Sequence, residues 1–314
     1  MIKKLAAPLK ILLILSGLIF LSYLLVNYNK PPLNEPFFFG GNNSGQDTKS
    51  QEDKINQEKS AKINSIIQSN ISGKEGQYAI FVKGLKNGQT IEYNSNETIS
   101  SASIYKLAVM YKTFDALEKG EVQKDTVLSA DTSQLDQTII WGNNPNITNQ
   151  ETGLVSYTVS EALRLMITIS DNYAALLLAQ QFGWDNIETF LKDSGISGLT
   201  LVSDNTPATT ASSTAQILEK IYRGQAVSKS ASNEMEKLLL GQTVNDRIPK
   251  YLPQNVKVAH KTGELDTLRH DAGIVYGKKS DYIFVFLTDT PDPENASENI
   301  ANLSQQIFDE LESN

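Results

Sequence analysis

The sequence predicts an α/β fold of the α+β kind: one antiparallel sheet flanked by N- and C-terminal helices, with an all-helical lobe inserted between its outer strands. Three observations predict it. Strand-like runs stand at both ends of the folded part, Tyr78 to Leu85 and Thr90 to Tyr93 first, then Val256 to Thr262, Asp271 to Tyr276 and Tyr282 to Thr288. Helical periodicity fills the middle, and further helices are expected over about 54–71 and 294–311. Strands so distant in sequence share a sheet only if the two ends of the domain meet.

Taken in order, Lys3, Lys4 and Lys10 precede an apolar run from Ile11 to Val26. That run is short for a membrane span of about 20 residues, but Leu5 to Leu9 and a snorkelling Lys10 extend it. Asn27-Tyr28-Asn29-Lys30 follows where a signal peptide would carry a small-x-small cleavage site. Residues 1–26 are therefore expected to be an uncleaved anchor, with the N-terminus cytoplasmic and the bulk of the chain outside. Residues 27–52, rich in Pro, Gly, Asn and Ser, are expected to be a flexible linker in which Phe37-Phe38-Phe39 rests at the membrane interface. Residues 53–314 are expected to form the folded domain.

Within that domain Asn87-Gly88 is the turn of the first hairpin. A helix is expected from Ile104 to Lys119, ending at Gly120. A second runs from Val159 to Ile169 behind a capping box of Thr158 and Glu161, and a third from Ala174 to Phe182, ending at Gly183. Helices near 185–193, 211–223 and 231–240 complete the lobe, and Gly277-Lys278-Lys279-Ser280 joins the last two strands.

Composition excludes several functions. A net charge of -8 lacks the clustered cations that nucleic-acid phosphates require. With no cysteine there is neither a disulfide framework nor a thiolate metal site, and His260 and His270 alone cannot build a three-histidine zinc site. No cofactor is expected.

Ser103-Ile104-Tyr105-Lys106 is the only Ser-x-x-Lys in the chain. Three residues apart on a helix, the two side chains share a face. A serine hydroxyl needs a base to attack at neutral pH, and Lys106 can serve only if burial or a neighbouring cation lowers its pKa from about 10.4. Read singly, Ser103 is also a helix cap and Lys106 a snorkelling lysine.

Ser170-Asp171-Asn172 falls between two helices, where such residues also cap. A second copy, Ser203-Asp204-Asn205, precedes Thr206-Pro207 and reads as a loop. Lys261-Thr262-Gly263 ends a strand: the lysine offers charge and the threonine a hydroxyl to an anion, and the glycine allows close backbone approach.

Together the three elements are the signature set of serine acyl-enzymes, and the chain resembles the class A β-lactamase family over about residues 55–312. Tyr78 to Tyr93, Tyr157 to Ala174 and His260 to Val275 also look like family segments. The resemblance implies Ser103 as nucleophile, Lys106 as its base and Ser170 as proton carrier to the leaving nitrogen. It implies that Asn172 holds the substrate's side-chain amide, that Lys261, Thr262 and Arg269 bind its carboxylate, and that backbone N–H groups of Ser103 and Glu264 form the oxyanion hole. Gly263 completes the strand motif. The implied substrates are β-lactams or peptidoglycan stem peptides.

The sequence departs from the family in two places. The Glu-x-x-Leu-Asn pattern whose glutamate activates the deacylating water is missing, and the loop between Gly195 and Thr206 is short, with Asp204 its only carboxylate. Glu264 also stands where small residues are common, and its charge would disfavour anions. The sequence thus predicts acylation with slow release. A D,D-peptidase and a non-catalytic wall-binding or β-lactam-sensing module are the alternatives. A Ser-His-Asp hydrolase fits poorly, since no Gly-x-Ser-x-Gly occurs and both histidines read as structural.

Overall fold

The computed structural model describes residues 44–138, 153–201 and 206–313. The expected anchor and the linker up to residue 43 lie outside them, as do Ser203, Asp204 and Asn205. Among the described residues no helix is long and apolar enough to cross a membrane. Residues 51–314 form one compact unit.

The chain opens with α1 (Ser44–Ile71), then β1 (Gln77–Gly84), β2 (Thr90–Tyr93) and the two-residue β3 (Ile99–Ser100). A 3-10 turn (Ala102–Tyr105) leads into the lobe: α2 (Lys106–Glu118), β4 (Val127–Asp131), α3 (Thr132–Thr138), β5 (Leu154–Thr158), α4 (Val159–Thr168), α5 (Asn172–Phe182) and α6 (Trp184–Asp193). The short strands β6 (Leu199–Thr200) and β7 (Ala208–Thr209) precede α7 (Ala211–Tyr222) and α8 (Lys229–Leu240). The chain finishes with β8 (Lys257–Leu265), β9 (Leu268–Tyr276), β10 (Tyr282–Asp289) and α9 (Pro293–Glu312).

The expected meeting of the two ends occurs through β1 and β10. They pair antiparallel from Gln77 opposite Asp289 to Gly84 opposite Tyr282, giving a five-stranded sheet of order β2-β1-β10-β9-β8. Successive residues of β10 face opposite sides. Tyr282, Phe284 and Phe286 join Ile63 and Ile67 of α1 and Ile300 and Ile307 of α9, whereas Ile283, Val285 and Leu287 join the lobe core with Leu107 and Val109. Both faces of the sheet are thus buried.

Three boundaries differ from expectation. α1 begins at Ser44, so residues 44–52, expected as linker, are helical; Gln46, Lys49, Gln51 and Glu52 follow the Gly-rich run and favour a helix more than a coil. The helix expected from Ile104 starts at Lys106, because Ala102 takes a left-handed φ of 42° and the chain enters through the tighter turn. Strand β8 continues past Gly263 to Leu265, and β9 begins at Leu268, so the turn between them is Asp266-Thr267. The pair β4 and β5 and the ribbon β3-β7-β6 were not anticipated: they are short, and Val127 and Leu154 are largely exposed, so no alternating pattern marks them.

Candidate active site

Ser103 is presented by a strained turn. A left-handed φ at a non-glycine such as Ala102 costs about 1–3 kcal/mol and persists only where neighbours hold it. Here the N–H of buried Ser101 donates to the Pro207 carbonyl at 2.7 Å, and the Ile104 N–H donates back to the Ser101 carbonyl at 2.9 Å. Gly263 brings β8 against this turn: a Cβ at that position would lie 3.1 Å from Ile104 Cγ1 and 3.0 Å from His270 Cδ2.

Lys106, first residue of α2, is fully buried. Its ammonium nitrogen donates to the Ser170 carbonyl (2.6 Å), to Ser170 Oγ (3.2 Å) and to Asn172 Oδ1 (2.7 Å); none of these bonds runs to Ser103. Burial pulls its pKa down to about 7, against an opposing pull from Asp171. In this resting geometry the amine is therefore directed at the Ser170–Asn172 segment.

Ser170 also has a left-handed φ, 60°, between α4 and α5. Asp171 caps α5 by accepting from the Ala174 N–H at 2.7 Å, which accounts for one residue of the tripeptide. Ser170 Oγ accepts from Lys106 and, at 2.9 Å, from Lys261. Asn172, expected to meet the substrate, has its side-chain oxygen committed to Lys106, so the amide nitrogen is what is left to meet a ligand.

Lys261 is fully buried, and its amine also donates to the Thr262 carbonyl at 2.7 Å. Burial first, then the nearby Lys106 and Arg247 charges, hold its pKa well below the usual lysine range, with Asp271 opposing. Ala102, Ser103, Ser170, Asn172, Thr262 and Glu264 line one cleft of about 230 Å³ together with Val244 and Leu265.

Arg269, expected to bind a substrate carboxylate, stands instead beside a carboxylate of the chain itself, the cleft-lining Glu264. Its guanidinium donates to the Asp266 and Leu268 carbonyls at 3.1 and 2.8 Å and lies 3.3 Å from Glu264 Oε1. The other oxygen of Glu264 accepts from Arg247, a side chain absent from the sequence-based site. Arg247 is 1% exposed and donates also to the His270 carbonyl and Ser297 Oγ, both at 3.3 Å. It comes from the polar segment after α8, where no periodicity marks a buried residue.

Both histidines are structural in their contacts. His270 bridges the Ser100 carbonyl (2.8 Å) and the Thr288 N–H (3.1 Å), which makes Nε2 the donor and Nδ1 the acceptor; burial pushes its pKa down to about 4. His260 pairs with buried Asp271, which also accepts from the Ile248 N–H. No cluster that could hold a metal ion occurs among the described residues.

Comparison with known proteins agrees with this geometry. Residues 59–311 match the model of the β-lactamase enzyme family. A β-lactamase of Bacteroides uniformis is 24% identical over 277 residues, covering 80% of this chain and 92% of its own. A class A β-lactamase of Bacteroides cellulosilyticus DSM 14838 superposes with a TM-score of 0.69 at 22% identity, over 82% of this chain and 99% of that one. A variant of PBP-A, solved as an acyl-enzyme complex with penicillin-G, superposes with a TM-score of 0.69 at 20% identity, over 80% and 95% of the two chains. With a serine and two buried lysines gathered at one cleft, this chain belongs to the β-lactamase enzyme family and is a serine hydrolase of that type.

Proposed function

We propose that the protein forms an acyl-enzyme through Ser103 with β-lactams or D-alanyl-D-alanine-like amides, and releases it slowly. Neutral Lys106 takes the Ser103 proton as Oγ bonds to the carbonyl carbon of the substrate. The tetrahedral intermediate then loses its C–N bond, and the departing nitrogen receives a proton through Ser170 Oγ, which Lys106 resupplies. Lys261 and Thr262 hold the ligand beside it, and the backbone N–H groups of Ser103 and Glu264 receive the oxyanion.

The observation that carries this reading is the convergence of two buried amines on Ser170 Oγ, beside Ser103 in one cleft. Slow release rests on the lining: among the described residues that line the cleft Glu264 is the sole carboxylate, and both its oxygens face guanidinium groups. Asp204 lies outside the described residues. A D,D-peptidase acting on wall peptides shares the acylation step, and the likeness to PBP-A favours keeping it as a second reading. The anchor over residues 1–26, with the domain held outside the cytoplasm, is part of the same proposal and rests on the sequence alone.

Labelling with a fluorescent penicillin tests it. An adduct on the wild type that is missing from Ser103→Ala and persists for hours is expected. A wall-binding or sensing module without chemistry would give no Ser103-dependent adduct, and release within seconds would make the protein an efficient hydrolase.

A further inference from the structure

Glu264 sits at the mouth of the cleft, half exposed, yet each of its oxygens is matched to one guanidinium: Oε2 to Arg247 and Oε1 to Arg269 at 3.3 Å. Arg247 lies beneath it, 1% exposed and tied to the His270 carbonyl and Ser297 Oγ. A guanidinium so buried is costly without an anion, and a planar fork facing two carboxylate oxygens is the arrangement a bound carboxylate ligand would need. The chain supplies that carboxylate itself.

Resting on the reading of the cleft given above, we propose that Glu264 is a resident counter-ion that sets the charge of the ligand. It covers the cationic floor at the β8 end of the cleft, so that acyl donors neutral or cationic at that end, such as amides and esters, are accepted ahead of carboxylates. A carboxylate ligand must displace Glu264 from Arg247 or lie beside a like charge. The first exchanges one ion pair for another, and the second is repulsive. Lys261 offsets this only in part, because its amine is shared with Ser170 Oγ and the Thr262 carbonyl. Asp246, 3.7 Å from Arg247 Nε and exposed, adds further negative charge on the outer side.

The test is equilibrium binding in the Ser103→Ala background, which removes the covalent step. Benzylpenicillin and its neutral methyl ester are titrated calorimetrically against proteins carrying Glu264 or Glu264→Gln. Glutamine keeps an oxygen for Arg247, removes the charge and turns an NH2 donor toward Arg269, and Glu264→Ala checks that the effect does not depend on that new amide. The affinity ratio of carboxylate to ester is expected to rise about tenfold or more in both variants, the ester itself moving less than about twofold, as charge-assisted contacts of this size imply. A ratio that stays level or falls overturns the proposal. So does failure of every protein to bind either compound at millimolar concentration. Penicillin labelling of the protein with Ser103 intact is scored separately: a moving ratio without an adduct sinks acyl transfer and leaves charge selection standing, whereas an adduct with a level ratio does the reverse.

Discussion

Lys106 and Lys261 aim their amines at the same oxygen, Ser170 Oγ, from 3.2 and 2.9 Å, although one begins a lobe helix and the other stands midway along a sheet strand. A hydroxyl held between two amines of lowered pKa is poised to pass a proton either way. Ser170→Ala removes that relay and leaves Ser103 in place. Adduct formation is expected to slow by about 10²- to 10⁴-fold, the usual weight of a proton-transfer group, with the fold preserved by circular dichroism.

The pKa of Lys106 sets a pH dependence. Below about 7 the amine is charged and cannot accept the Ser103 proton, so the acylation rate is expected to fall about tenfold per pH unit on the acid side and level off above 7. Lys106→Arg, whose guanidinium stays charged, is expected to abolish labelling at every pH. A stopped-flow rate profile between pH 5 and 9 measures both.

His270 makes the fold acid-sensitive. Its folded pKa of about 4 lies below the unfolded value of about 6.5, so the unfolded chain takes up a proton first as pH falls. The stabilisation is complete above 6.5 and is lost progressively between 6.5 and 4, about 3 kcal/mol in total. Urea midpoints across that window are expected to fall more steeply for wild type than for His270→Gln.

Arg247→Ala is expected to destabilise the protein by about 2–4 kcal/mol in urea unfolding, because it opens a cavity and strands the His270 carbonyl and Ser297 Oγ. Half of Glu264 faces water, so the lost ion pair contributes little of that figure. A loss under 1 kcal/mol would mean that Arg247 is not held as described.

What could be read from the sequence was chemistry carried by short local patterns. Ser103 and Lys106, Ser170, and Lys261 with Thr262 each announce themselves within four residues, and the structure brings all of them to one place. The sheet was legible too, because β1, β9 and β10 are dense in apolar residues and Asn87-Gly88 marks a turn. Arg247 was not, since its burial is created by residues on β9 and α9 that are distant in sequence. The left-handed residues Ala102 and Ser170 were equally silent, because neither is a residue type that signals such a conformation. The contacts of Arg269 were not legible either: the Asp266-Thr267 turn gives it two local carbonyls, and its register opposite Glu264 gives it a carboxylate.

Ser103 and Ser170, the proposed nucleophile and relay, ride on the helical lobe, whereas Lys261 and Thr262 ride on β8, so the candidate site straddles a seam between two packed layers. Slippage of that seam by an ångström or two would part the donors from the acceptors while every helix and strand stayed intact. Reactivity is therefore a finer gauge of layer registry than spectroscopy, and mild denaturant is expected to silence the protein before it melts it.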